Sequence, residues 1–185
     1  MSTTSAILAS ACAESGWDFA ERSTRYLVRL ETDRDGAPFY ARIEADADGQ
    51  IFAWVDLTSA ILVFDTASAP GAGMAGEAKT QSPVCLRAAE AMLAEVTRRV
   101  RGVRGVVREE AGRSVVGLLA RLPAANGEDL AEAISALSVA CQLAGPEIKL
   151  LLSDSAIAGL YLDDCVRLHA HAASNAAEGQ PLNVK

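Results

Sequence analysis

Between Tyr26 and Asp56 the side chains alternate in character with a period of two through three successive runs, and this alternation constrains the fold more than any other feature. Tyr26, Val28 and Leu30 alternate with Leu27, Arg29 and Glu31; Phe39, Ala41 and Ile43 with Tyr40, Arg42 and Glu44; and Ile51, Ala53 and Val55 with Phe52, Trp54 and Asp56. Successive side chains of a strand point to opposite faces, so each run has one apolar face to bury. Asp35-Gly36 and Asp48-Gly49 stand between the runs as hairpin turns. The pattern predicts a three-stranded antiparallel meander with one face on the core. Ile61 to Phe64 reads as a further short strand, and residues 66–82 as a flexible loop of Gly, Ala, Ser and Thr.

The period then changes. Ser82-Pro83 opens a helix, with Ser as N-cap and Pro at the first helical position, and Leu86, Ala89, Leu93, Val96 and Val100 follow in steps of three and four. Gly102 ends it. Val103 to Glu109, the turn at Ala111-Gly112 and Arg113 to Leu122 form a hairpin whose second strand is apolar enough to be central. Leu130, Ile134, Leu137, Cys141 and Ala144 mark another helix, with Gly145-Pro146 as its stop and a short helical piece over 147–152. Ser155 is placed to cap a last helix holding Ile157, Leu160, Tyr161 and Leu168. A first helix, Ser5 to Ser15, carries Ile7, Leu8, Ala11 and Cys12 and stops at Gly16. This order departs from strict strand-helix alternation, and the expected class is α+β: an antiparallel sheet, meander plus hairpin, covered on one side by helices. Residues 1–152 form a single domain in this reading, 153–174 a helix packed on it, and 175–185 a frayed tail.

Composition narrows the function classes. In 185 residues, half apolar and 22% charged, no apolar run approaches the roughly 18 residues of a membrane span. The N-terminal stretch lacks the basic segment of a secretion signal. Cys12, Cys85, Cys141 and Cys165 are widely spaced, three of them inside apolar helical patterns, as free thiols are in a reducing compartment; a cytoplasmic location is expected. The net charge of −7 disfavours general affinity for nucleic acid or an anionic membrane. The charge is uneven: residues 1–81 carry 12 acids and 6 bases, residues 82–185 carry 12 acids and 11 bases.

The element order, with the stretch from Ala89 to Glu147, resembles the fold shared by type III secretion chaperones and the YbjN family. The residues that carry the resemblance are a helix ending in Val100-Arg101-Gly102, the hairpin, the exit at Leu122-Pro123, a helix opened by Gly127-Glu128-Asp129-Leu130 and the Gly145-Pro146 pair. The resemblance spans residues 5–152. It implies a small acidic protein, often dimeric, that binds a partner polypeptide without catalytic residues. The chain departs from the pattern in its glycine-rich loop and in residues 153–185, which leaves the dimer geometry open.

Catalytic, cofactor and metal sites find little support. Gly71-Ala-Gly73-Met-Ala-Gly76 matches a dinucleotide fingerprint, but the next helix opens only at Ser82, too late to meet a pyrophosphate, and Glu77 follows the last glycine. Asp33-x-Asp35-Gly36 and Asp46-x-Asp48-Gly49 lack the ligand array and the bidentate Glu of a calcium loop, and hairpin turns account for them. Cys165 and His169 share a helix face beside Asp164, while His171 falls elsewhere on the helix; without a second ligand cluster they make neither a zinc site nor a catalytic dyad.

Two surfaces remain as binding candidates. The alternation points Leu27, Tyr40, Phe52 and Trp54 away from the core among Arg29, Glu31, Arg42 and Glu44, and aromatics in a charged rim suit a protein interface, although scattered apolar surface residues are ordinary. Arg98, Arg99, Arg101, Arg104, Arg108 and Arg113 form a basic concentration that suits phosphates, or equally a solvated helix end and strand edge. The expected function is a non-catalytic, homodimeric protein-binding module, chaperone-like or regulatory, with nucleic-acid-associated regulation as the alternative.

Overall fold

The computed structural model describes residues 3–22, 25–32, 38–45, 50–58, 81–110, 112–122 and 127–177. Helix α1 (Thr3–Ser15) is followed by strands β1 (Phe19–Arg22), β2 (Arg25–Thr32), β3 (Pro38–Ala45) and β4 (Ile51–Asp56). Helix α2 (Pro83–Arg99), the hairpin β5 (Val103–Glu110) and β6 (Arg113–Leu122), and helices α3 (Gly127–Ser153) and α4 (Ser155–Ala177) complete the order. The strands form one antiparallel sheet in the order β1-β2-β3-β4-β6-β5. The class is α+β, as the alternation of periods predicts.

The meander has the expected parity. Val28, Leu30, Phe39, Ala41, Ile43, Ala53 and Val55 are all buried on one face, with Val103, Val116, Leu118, Ala120 and Leu122 of the hairpin beside them. Onto this inner face pack Leu8, Ala11 and Cys12 of α1, Ala89, Leu93 and Val96 of α2, and Leu130, Ile134, Leu137, Cys141, Ala144 and Ile148 of α3. Each large apolar side chain buried this way contributes about 1.5–3 kcal/mol. Helix α4 lies outside that layer, joined to α2 and α3 by a second cluster of Cys85, Ala88, Leu151 and Ala158, with Met92, Tyr161 and Leu162 around it.

β6 is central, as its apolar run indicates, because the hairpin docks through β6 onto β4. The β4–β6 pairing continues past Asp56. The Leu57 amide donates to the Val116 carbonyl at 3.0 Å, and the Thr58 hydroxyl, buried, accepts from the Val116 amide at 2.8 Å. Gly16 and Gly102 lie at φ +72° and +81°, the left-handed conformation their places after helices α1 and α2 require.

Three expectations are corrected and one strand is added. Gly145-Pro146 does not stop a helix: α3 runs through it from Gly127 to Ser153, so residues 147–152 are its last turns and not a separate piece. A Cβ on Gly145 would strike the buried Phe39 ring, so this glycine marks a close approach of helix to sheet. The last helix is capped by Asp154 and not by Ser155, since Asp154 Oδ1 accepts from the amides of Ala156 and Ile157 at 2.8 and 3.2 Å. That helix continues to Ala177, three residues into the segment expected to fray. Finally, β1 precedes the meander, paired with β2 through Arg22↔Arg25, with Phe19 and Tyr26 stacked at 5.9 Å; four residues are too few to show a period. Ser82 sits at the N-cap of α2 in extended conformation, as expected, without a side-chain cap hydrogen bond. The strand expected at Ile61 to Phe64, the loop over 66–80 and both Asp-Gly turns lie outside the described residues.

By length and composition alone, the α3 segment Glu128–Ser153 would suffice to cross a membrane, but half of its apolar window is buried inside the fold. Its outward side carries Val139, Leu143 and Leu150, each between 43% and 49% exposed.

Candidate functional site

Among the described residues, the helices cover the inner face of the sheet, and the other face is built from side chains of all six strands. The registers Arg29↔Tyr40, Leu27↔Arg42, Arg42↔Trp54, Glu44↔Phe52, Phe52↔Arg121, Trp54↔Leu119 and Arg104↔Leu119 place these residues on the outer face. The direction read from the sequence for Leu27, Tyr40, Phe52 and Trp54 is therefore correct.

Their exposure divides them. Tyr40 is 51% exposed, Leu27 and Phe52 are half-buried, and Trp54 is 0% exposed. Trp54 is thus corrected from an interface contact to a buried anchor. Its indole lies over Gly117 of β6, where any Cβ would collide with the ring and with the Val55 carbonyl. The Arg108 guanidinium lies over the ring, 4.1 Å from its centroid, a cation–π contact. The indole Nε1 donor is buried without a hydrogen-bond partner among the described residues.

Ion pairs close over this part of the face. Arg42 meets Glu44 at 3.8 Å and Glu110 at 3.4 Å, and Arg108 meets Glu44 at 3.6 Å. Arg42 and Glu44 stand on β3, Arg108 and Glu110 on β5, and β4 and β6 lie between them. Adjacent strands are about 4.8 Å apart, so only side chains as long as Arg and Glu reach across that gap. Glu44, directly across from Phe52, is the group of this network that stands level with Arg121, and the ion pairs do not extend beyond it onto β4 and β6. There Gln50, Phe52, Gly102, Val103, Arg104, Leu119 and Arg121 line a groove of about 500 Å³. Phe52 and Leu119 are half-buried in it, and Arg104 and Arg121 are exposed at its rim.

The arginine concentration does not form one surface. Arg98 and Arg99 extend from the end of α2, on the helix side of the sheet, and both engage Glu95, at 2.6 and 2.9 Å. The hydrogen bond from Arg99, and then the charge of Arg98, hold the Glu95 carboxyl below its ordinary range. Arg104 and Arg108 point to the opposite side, and Arg101 lies exposed in the turn between.

The candidate chemistry can be placed in part. Burial pushes the Cys12 and Cys141 thiols up, away from the thiolate a nucleophile requires. Cys165 is half-buried and His169 exposed on α4, and the described residues hold no group of three or more His, Cys, Asp or Glu side chains placed for a metal. The glycine fingerprint and both Asp-x-Asp-Gly sequences lie outside the described residues.

Sequence reasoning missed Arg121, Leu119 and Gly117. The run from Ser114 to Leu122 is so nearly apolar that it reads as a central strand without a distinction between its faces; Arg121, its one internal charge, is the signal that fixes the parity. No family model matches the chain, and no curated protein or solved structure shows significant similarity to it.

Proposed function

We propose that this chain is a non-catalytic protein-binding module, chaperone-like or adaptor-like, that holds a partner polypeptide on the outer face of its sheet. The observation that carries this reading is the face itself: exposed Tyr40, half-buried Leu27, Phe52 and Leu119, and arginines around them, on a side of the sheet where none of the described helices packs. Mixed aromatic and cationic surface of this kind is what protein interfaces enrich. A homodimer in the cytoplasm belongs to the same proposal, and the outward apolar stripe of Val139, Leu143 and Leu150 favours self-association. The nucleic-acid alternative draws less support from the arginines, which divide between two sides of the sheet.

The test is affinity capture from the native cell extract with wild type beside Tyr40→Glu, followed by titration of the captured species in purified form and light scattering of both proteins. The proposal expects one polypeptide, bound directly by wild type and lost with Tyr40→Glu at unchanged folding and oligomeric state. Capture of nucleic acid with a steep salt dependence would transfer the function to the alternative.

A further inference from the structure

We propose that the groove bounded by Arg104 and Arg121 receives an extended acidic segment of the partner polypeptide, two carboxylates engaging the two arginines and a neighbouring apolar side chain resting on Phe52 and Leu119. The inference rests on the protein-binding reading and names the chemistry of what is bound.

Charge complementarity carries it. Three outer-face arginines have acidic partners: Arg29 pairs with Asp18 at 3.2 Å, Arg42 with Glu44 and Glu110, and Arg108 with Glu44, while Arg113, at the far end of β6 from Arg121, lies outside the groove. Arg104 and Arg121 have no hydrogen-bond or ion-pair partner among the described residues, in a chain with 24 acids to 17 bases. Arg104 stands directly across from Leu119, two residues before Arg121 on the same face, so the two cations are diagonal neighbours on adjacent strands. Like charges so close oppose each other, and a bound anion relieves that repulsion.

Spacing and shape select the ligand. Diagonal cross-strand neighbours are about 7–8 Å apart. In an extended segment, residues i and i+2 point the same way and lie about 6.7 Å apart. Two carboxylates at that spacing match the two guanidinium forks, each able to accept a carboxylate bidentately. Phe52 stands directly across from Arg121, so an apolar residue two positions further along the segment meets the groove floor. The groove volume of about 500 Å³ accommodates a few residues. A nucleic acid needs a continuing track of cations, whereas beyond Trp54 this face continues into Arg42 and Arg108, already neutralised by Glu44 and Glu110.

The experiment is fluorescence anisotropy with the full chain and three labelled probes: a peptide alternating glutamate and serine and ending in leucine, its glutamine counterpart, and an oligothymidylate. The expected result is binding of the glutamate peptide, weakened about tenfold by Arg104→Gln and again by Arg121→Gln, with little binding of the other two probes. Both side chains are exposed and unpartnered, so the double variant should keep the wild-type melting temperature. Absence of glutamate-peptide binding, equal binding by the double variant, or preference for the oligothymidylate would each overturn the assignment. Capture of the same cellular polypeptide by wild type and the double variant, with loss only in Tyr40→Glu, would overturn the arginine site and leave the protein-binding reading standing.

Discussion

Trp54 shows how one residue changes meaning between sequence and structure. Alternation gives its direction, but its burial depends on Gly117 of the neighbouring strand β6, far away along the chain, and on Arg108 reaching over the ring. Trp54→Ala should therefore cost about 3–5 kcal/mol in urea unfolding, as expected for loss of a fully buried aromatic. Trp54→Phe should cost less, because it also removes an indole donor that is buried without a partner. Gly117→Ala is expected to destabilise by about 1–3 kcal/mol, since the new methyl meets the Val55 carbonyl as well as the indole; an unchanged unfolding midpoint would show that the ring does not occupy this place. Cysteine reactivity provides a separate check. Cys165 is half-buried, whereas Cys12, Cys85 and Cys141 are buried, so a thiol reagent should label Cys165 first and the others only as the protein unfolds.

At the scale of elements, the meander, the hairpin and helices α1 and α2 were legible because their periods are long enough to count and their ends carry Gly or Pro. What stayed hidden depended on contacts between elements. Gly145-Pro146 carries the local signal of a helix end, yet packing on Phe39 keeps α3 continuous, and Gly145 serves that packing. Helix propensity alone makes Gly→Ala favourable by about 1 kcal/mol, whereas the collision with Phe39 predicts that Gly145→Ala lowers stability; urea unfolding of this variant distinguishes the two. The junction of α4 with α2 has its own signature. Tyr161, whose hydroxyl lies 3.5 Å from Met92 Sδ, is pushed up to about 12, first by burial and then by its contact with Cys165. A phenol with its folded pKa raised favours folding below its unfolded value of about 10. That contribution is lost as pH rises through 10 toward 12, so the melting temperature should fall across this window and fall less in Tyr161→Phe.

For the whole molecule, the sequence disclosed the class and the existence of an outer face, but not which part of that face is open. Leu27, Tyr40 and Phe52 could be assigned to it because the alternation is local. The division between a part closed by Arg42, Glu44, Arg108 and Glu110 and a part left open at Arg104 and Arg121 arises from pairing β4 with β6, elements more than 50 residues apart along the chain. The basic concentration from Arg98 to Arg113 looked like one patch because its members are close in sequence, whereas the turn at Gly102 sends them to opposite sides of the sheet. The most direct test of the outer face as the binding surface is photo-crosslinking in cells from single positions carrying an aromatic photoreactive side chain, placed at Tyr40 and Phe52 on the outer face and at Val139 and Leu150 on the outward side of α3. The account predicts a discrete adduct with the same partner polypeptide from positions 40 and 52, with positions 139 and 150 joining only copies of the chain itself. A partner adduct from 139 and 150, and none from 40 and 52, would contradict it.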